Sequence, residues 1–315
     1  MKVRFIPIHE LSPELSDLLE KFSPYTAPSF MTLLARECRR GGYFTAEDDD
    51  GVIAALPAVE IKGAGLFARA RMQALIDGLP APIWISPETK INAKDIRSEI
   101  VKAISCRRYL KACLTDYDNS FGDAYGKLVP QKTSVIDLIR AASEGETFPP
   151  DKALRSEIAK ANRDDVRVVP LSTVTQVDDF LRLMKSTEER HGRTPRYSGE
   201  FWHCFAYLSE RDPRFQILCV YAESELAAAH VFIVDRNTAL NWQIYFDKKY
   251  SSLKPNQAIT AHAIKKFTAA GVRFLNLGVT PPDATGVEAY KSKWGGINYA
   301  YQTIEFRSLL GRMLR

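Results

Sequence analysis

The sequence lacks any apolar stretch near the about 20 consecutive residues that a helix needs to cross a bilayer. Its start, Met1–Glu10, also lacks the long apolar core of a signal peptide. Residues 3–8, Val-Arg-Phe-Ile-Pro-Ile, are instead strand-like and fit a folded N-terminus better. These absences argue against stable membrane insertion and predict a cytoplasmic protein.

Cysteine is scarce as well: the chain has five, with no CxxC pair and no histidine at zinc-binding spacing. The odd count and the apolar neighbours of Cys113 and Cys219 predict reduced, partly buried thiols. No cysteine has an obvious base beside it, which argues against a cysteine nucleophile. We therefore expect no metal site and no cysteine chemistry.

What the chain does contain is the composition of an ordinary globular protein, 45% hydrophobic and 26% charged. Its 315 residues predict about two domains. The formal net charge of +5 suits an anionic substrate but does not establish one.

A strand–turn–strand pattern occurs twice, at residues 43–60 and 219–233, each time after a helical stretch and with small residues in its second strand. Helical and strand patterns alternate on both sides of residues 144–150, a polar and proline-bearing stretch typical of a linker. The sequence therefore predicts an α/β protein of two similar domains, residues 1–148 and 149–315. In this interpretation residues 133–138 form the last strand of the first domain.

Five short motifs follow one another between residues 133 and 296: Thr133–Leu138, Leu154–Ala161, Met184–Gly192, Lys254–Asn256 and Gly286–Gly296. Their order resembles that of the Fem-type peptidyltransferase branch of the GNAT superfamily. The last motif has an aromatic residue, a lysine, two further residues, an aromatic residue and a glycine, matched by Tyr290, Lys291, Trp294 and Gly295. With its tyrosine and tryptophan, this motif also resembles that of a sister group of GNAT proteins, which is linked to exopolysaccharide and cellulose gene sets. The resemblance covers about residues 133–306, and the order of the motifs carries it.

The resemblance implies an α/β (α+β) fold of tandem GNAT-like domains, each a mixed sheet flanked by helices, with the active site in the second domain. Fem-type enzymes add amino acids from aminoacyl-tRNA to peptidoglycan precursors. The expected function is therefore acyl transfer that forms an amide bond. The expected partners are tRNA and a phosphorylated or nucleotide-linked cell-envelope precursor, with no firmly bound cofactor.

The resemblance also implies catalytic roles for two residues. Lys291 would contact substrate phosphate or stabilise charge at the reacting carbonyl, and Lys293 could share that role. Tyr245 resembles the family's tyrosine before the loop that receives the acyl donor, and it would donate a hydrogen bond. Strand alternation predicts that Tyr245 and Gln243 share one face while Trp242 and Ile244 share the other.

The remaining candidates for substrate binding are Gln243, Asn256, Tyr290, Trp294, Gly295, Arg193 and Arg196. Gly295 permits close backbone approach to a ligand, or forms a turn into the next strand. Arg193 and Arg196 are suited to phosphate recognition, or belong to a solvated face. Asn256 contacts the donor, or acts as a helix N-cap.

The loop at residues 251–257 separates the possible acyl donors. GNAT enzymes that use acetyl-CoA hold its pyrophosphate on backbone N–H groups of a glycine-rich loop that opens a helix. This loop has no glycine, and Pro255 removes one N–H donor. This departure counts against ordinary acetyl-CoA use and agrees with the Fem-type pattern, and the expected donor is aminoacyl-tRNA or acyl-CoA. Two alternatives stay open: acyl-CoA-dependent N-acylation for polysaccharide synthesis, and a non-catalytic GNAT-like module that binds RNA, nucleotide sugar or protein.

Overall fold

The computed structural model describes residues 1–38, 40–61, 71–75, 79–107, 109–117, 120–121, 126–171, 174–280 and 285–307. Thirteen strands lie in these ranges: β1 Lys2–Pro7, β2 Arg40–Asp48, β3 Gly51–Ile61, β4 Arg71–Gln73, β5 Trp84–Ile85, β6 Lys111–Asp116, β7 Lys127–Asp137, β8 Val168–Pro170, β9 Phe215–Ala222, β10 Glu225–Asp235, β11 Thr238–Phe246, β12 Phe274–Val279 and β13 Ile297–Arg307.

Nine α-helices lie in the same ranges: α1 Pro13–Phe22, α2 Pro28–Glu37, α3 Ala93–Cys106, α4 Leu138–Glu144, α5 Lys152–Arg163, α6 Val174–Arg190, α7 Gly199–Arg211, α8 Pro255–Ala269 and α9 Thr285–Lys293. Short 3-10 helices cover Ile8–Glu10, Gly145–Thr147 and Lys248–Leu253.

The chain forms two compact units, Met1–Gln131 with Ala300–Arg315, and Lys132–Tyr299. They differ from the predicted domains 1–148 and 149–315. The first boundary falls inside β7, and the C-terminal part of β13 joins the first unit. Residues 133–137, expected to close the first unit, pair with β12. Residues 302–307 pair with β6 of the first unit. Each unit thus takes a strand that sequence order assigns to the other.

In the first unit, β1, β2 and β3 form an antiparallel series, and β3 also pairs with β5. β4 pairs in antiparallel fashion with β3 and in parallel with β6, which follows the helix α3. Ile96, Ile100 and Ile104 of α3 are buried at the helical spacing that faces the sheet.

The second unit repeats this plan. β8, β9, β10 and β11 are antiparallel neighbours, and β11 pairs in parallel with β12 after the helix α8. The helices α6 and α7 contact one side of the sheet through an aromatic cluster. The helix α8 buries Ile259, Ala263 and Phe267 against the other side. Burial of side chains as large as Ile259 and Phe267 stabilises the fold by about 1.5–3 kcal/mol each.

The helix α8 ends where the sequence predicts. Gly271 has φ +76°, and the N–H of Val272 donates to the Phe267 carbonyl at 3.0 Å, a glycine-based helix C-cap. The chain then enters β12 directly, so α8 and its cap determine where β12 starts.

Candidate active site

The site lies where β11 and β12 separate. In the described residues their parallel ladder has three pairs and ends at Leu240 and Asn276. Beyond that point β11 stays with β10 as far as its residue 246, while β12 stays with β7. Buried polar side chains meet around this opening: Thr133, His230, Asn241, Asn276, Thr280 and Lys291. We call them the polar cluster. Buried polar groups need hydrogen-bond partners, so each hydrogen bond in the cluster contributes to the stability of the fold.

Lys291 is the charged member of this cluster. It lies in the last turn of α9 and only 5% of its surface is exposed. Its ammonium donates to the carbonyl of Gly278 at 2.6 Å, to the carbonyl of Val279 at 2.9 Å and to the Thr280 hydroxyl at 3.1 Å. These bonds use all three N–H groups. Burial lowers the pKa of Lys291 to about 8.

The rest of the aromatic–lysine motif has other surroundings. Lys293 is exposed, so the two lysines do not share an environment. Tyr290 and Trp294 pack into the hydrophobic core beside α8, and burial raises the pKa of Tyr290. Gly295 has φ +69°, and a Cβ there would lie 2.9 Å from the ring of Pro150. The close approach made by Gly295 is therefore to the chain itself.

A chain of side-chain hydrogen bonds crosses the sheet from α8 to β11. His230 Nε2 lies 3.1 Å from Asn256 Oδ1, and His230 Nδ1 lies 3.1 Å from Asn241 Nδ2. An amide oxygen only accepts and an amide nitrogen only donates. The neutral Nε2–H tautomer of His230 therefore satisfies both contacts. Burial lowers the pKa of His230 to about 4, which keeps the ring neutral at physiological pH.

Asn256 is therefore not the helix N-cap. That position belongs to Lys254, whose backbone is left-handed at φ 56° and ψ 45°, with Pro255 as the first helical residue. At the other end of the chain of bonds, Asn241 Oδ1 is buried without a hydrogen-bond partner among the described residues. An unpaired buried acceptor at the opening between two strands is available to an N–H or O–H group of a ligand.

A second set of bonds holds the end of β12. The Thr133 hydroxyl lies 2.5 Å from both Asn276 Oδ1 and the Gly278 carbonyl, and the N–H of Gly278 donates to Asn276 Oδ1 at 2.8 Å. Gly278 has φ +79°, and a Cβ added there would lie 2.9 Å from the Asn241 carbonyl. The turn that presents carbonyls to Lys291 thus requires glycine.

Replacing Gly278 with alanine should lower the free energy of unfolding by about 2–3 kcal/mol, because it combines positive-φ strain with a backbone clash. Gly271→Ala is the matched control: Gly271 has φ +76°, but open space surrounds the site of its Cβ. That variant should lose about 1 kcal/mol. Urea unfolding of both variants measures the difference. Equal losses would mean that the approach of Gly278 to Asn241 is unimportant.

Tyr245 and Gln243 form a separate group with Arg196. The Tyr245 hydroxyl lies 3.4 Å from Gln243 Oε1, so these side chains share a face as predicted. Burial raises the pKa of Tyr245, Glu188 raises it further, and the nearby Arg196 opposes both. Arg193 is exposed on the segment after α6. Of the two arginines predicted to bind substrate, Arg196 is the one that lies near Tyr245 in the described structure.

The predicted position of Trp242 is wrong. The rings of Trp242 and Tyr245 both pack on Trp202, at centroid distances of 6.0 and 6.2 Å, so they lie on the same side of β11. The ladder explains this arrangement: Val231 pairs with Gln243 and Phe232 with Asn241, which leaves Trp242 as an extra residue. Such a β-bulge interrupts the two-residue alternation.

A carboxylate lies beside the first turn of α8. Glu157 of α5 accepts from Lys254 Nζ at 2.7 Å and from Gln257 Nε2 at 3.0 Å. Anions are stabilised at a helix N-terminus by its exposed N–H groups and dipole. The first turn of α8 therefore already has an internal anion.

Metal-binding groups of side chains and membrane-spanning helices are both absent from the part of the chain that the structure describes. In those residues no group of three or more His, Cys, Asp and Glu side chains could hold a metal ion. No helix there has the length and apolar character needed to span a membrane.

These features identify a class of domain. Residues 151–292, slightly less than half of the chain, match the family model described as an acetyltransferase (GNAT) domain. This part of the second unit is therefore similar to an acetyltransferase domain of the GNAT type. A comparison with curated proteins finds no match.

Solved structures extend the likeness to nearly the whole chain. The structure of FemX is similar with a TM-score of 0.65 at 11% identity, over 99% of this chain and 98% of that one. L-PGS from Bacillus licheniformis is similar with a TM-score of 0.63 at 12% identity, over 96% and 95%. A tandem GNAT protein from the clavulanic acid biosynthesis pathway gives 0.54 at 11% identity, over 96% and 98%. The predicted tandem GNAT fold is confirmed, and the likeness to Fem-type proteins is confirmed as one of fold.

Sequence reasoning missed His230, Asn276, Gly278, Thr280 and the clustered role of Thr133. A signal existed for two of them. His230 interrupts the apolar run from Leu226 to Ile233, and Asn276 interrupts Phe274–Leu277. A polar side chain in the middle of a buried strand usually has a specific partner, and here the partners come from other elements.

Proposed function

We propose that the protein forms an amide bond, transferring an aminoacyl group from aminoacyl-tRNA to an amine of a phosphorylated or nucleotide-linked cell-envelope precursor. The opening between β11 and β12 would hold the reacting groups. The likeness of fold to FemX and to L-PGS supports this class of reaction.

The choice of aminoacyl-tRNA as the donor rests on the Glu157 carboxylate beside the first turn of α8. In a CoA-dependent GNAT enzyme, free backbone N–H groups at such a helix start bind the pyrophosphate. Here Pro255 lacks one of those groups, and Glu157 forms an ion pair with Lys254 beside the first turn. A pyrophosphate would have to displace Glu157 from this ion pair. An aminoacyl ester carries no pyrophosphate and does not need that binding site.

The chemistry requires no covalent enzyme intermediate. The acceptor amine attacks the ester carbonyl, a C–N bond forms, and the C–O bond to the tRNA ribose breaks. The proton that the amine loses goes to the leaving ribose oxygen. The enzyme contributes positioning and stabilisation of the oxyanion that develops at the carbonyl.

Lys291 is the proposed source of that stabilisation. Its bond to the Thr280 hydroxyl, at 3.1 Å, is the longest of its three bonds and reaches an uncharged acceptor. A developing oxyanion could replace that hydroxyl and form a stronger, charge-assisted bond. The two shorter bonds to β12 carbonyls would keep the ammonium in position. Asn241 Oδ1 would accept a hydrogen bond from the attacking amine.

Ligand-induced thermal shifts test the donor. Aminoacyl-tRNA should raise the melting temperature of the wild type, whereas acetyl-CoA at the same concentration should leave it unchanged. Glu157→Gln breaks the ion pair and frees the Lys254 ammonium, so this variant should bind CoA more tightly than the wild type and keep its response to aminoacyl-tRNA. Stabilisation of the wild type by acetyl-CoA alone would contradict the proposal and favour acyl-CoA-dependent N-acylation.

A further inference from the structure

A cavity on the other side of α8 plays no part in the proposed transfer. Its volume is about 610 Å³, and it lies entirely within the second unit. Ala261, Ile264, Lys265 and Thr268 present one face of α8 to it, as their helical spacing requires. Phe148 and the fully buried Trp294 contribute to the other walls. Its size falls within the range of about 300–1,000 Å³ that is usual for small-molecule sites.

The few polar side chains that line this cavity exclude most classes of ligand. Among the described residues that line it, Lys265 alone carries a charge. The hydroxyl of Thr268 donates to the Ile264 carbonyl at 2.7 Å, so its proton is already used. The buried indole N–H of Trp294, without a partner among the described residues, is one further donor. A sugar, a nucleobase or a peptide would bury polar groups there without partners, which costs about 1–3 kcal/mol for each group. An aliphatic chain has no such groups.

The charged side chains of α8 indicate which head group the ligand has. No hydrogen bond or ion pair involves the ammonium of Lys265 within the described ranges. The sequence of α8 contains no Asp or Glu, and Lys265, Lys266 and His262 are close together on it. Where α8 forms the edge of the cavity, the exposed Lys265 therefore makes that edge positive. One free ammonium matches one negative charge.

We infer that this cavity binds a fatty carboxylate, with its aliphatic chain against α8 and its carboxylate on Lys265. The chain leaves water for the apolar walls, and the head group supplies the anion that α8 lacks. A phosphate dianion would leave a charge without a partner, because the cavity offers a single cation.

Isothermal titration calorimetry with saturated carboxylates from octanoate to tetradecanoate, below their micelle concentrations, tests the inference. The affinity should rise about fourfold per added methylene until the cavity is full, since each buried CH₂ contributes a near-constant increment. Dodecanoate should bind more tightly than dodecanol. Lys265→Gln should remove that preference, whereas Lys266→Gln, on the same helix but outside the cavity wall, should retain it.

Two variants close the cavity. Ala261→Phe fills it from α8, and Ala142→Trp covers it from an exposed position on α4, so a folding failure in one leaves the other informative. Both should abolish dodecanoate binding. Unchanged binding in a folded variant, or affinity independent of chain length, would overturn the inference. So would wild-type self-association that these variants remove while dodecanoate does not bind, since the occupant would then be a second copy.

Discussion

Lys291→Met should lower kcat for aminoacyl transfer by about 10²- to 10³-fold, the loss typical when one oxyanion donor is removed. Methionine keeps the length and apolar stem of the side chain but cannot donate to the Val279 carbonyl or to an oxyanion. KM should change little, because the bond that matters forms as charge develops. Steady-state kinetics with saturating aminoacyl-tRNA measures the effect.

The free energy of unfolding of Lys291→Met shows whether Lys291 acts in catalysis or only anchors the fold. The free energy of unfolding should fall by about 1 kcal/mol, because the lost carbonyl bonds are partly offset by removal of a buried charge. Lys293→Met is the matched comparison, since Lys293 is exposed two residues further on, and we expect its kcat to stay within about twofold of the wild type. If Lys291→Met unfolds more easily but keeps its kcat, Lys291 is a structural anchor and the proposed role is wrong.

Acid should destabilise the protein through His230. Its pKa is about 4 in the folded state, because of burial, against an ordinary value of 6.5. The unfolded chain therefore binds a proton first as the pH falls. The contribution of His230 to stability is complete above pH 6.5 and is lost as the pH drops towards 4. The loss should reach about 3 kcal/mol, at 1.36 kcal/mol per pKa unit.

His230→Gln provides the control for this pH dependence. The difference in unfolding free energy between wild type and variant should shrink as the pH falls from 6.5 to 4, since the other four histidines titrate in both. Denaturant unfolding at several pH values gives the curve. A difference that stays constant over this range would mean that the folded state protonates His230 as readily as the unfolded chain does.

The sequence predicts local structure well in this chain. Gly271 as the cap of α8 and the repeated strand–turn–strand pattern depend on neighbours in the chain, and the structure has both. The exchange of β7 and β13 between units depends on pairings between residues far apart in sequence, such as Glu305 with Cys113. Turn signals do not encode such a pairing, so the predicted boundary differs.

The sequence indicates residues of the candidate site but not the contacts that they make. The motif order pointed to Lys291, and the structure places Lys291 beside the strand opening. That its ammonium is buried against β12 carbonyls depends on the left-handed turn at Gly278, which the sequence shows only as a glycine. The side of the sheet taken by Trp242 depends on a bulge of one residue. One inserted residue reverses a prediction from strict alternation.

The chemical form of the product tests the central claim most directly. Wild-type protein is incubated with tRNA that carries a radiolabelled amino acid and with an amine-bearing envelope precursor, and the product is then treated with mild alkali. The account predicts that the label moves to the precursor and resists alkali as an amide does, with the transfer lost in Lys291→Met. Label that remains on tRNA, or that alkali releases as it releases an ester, would contradict it.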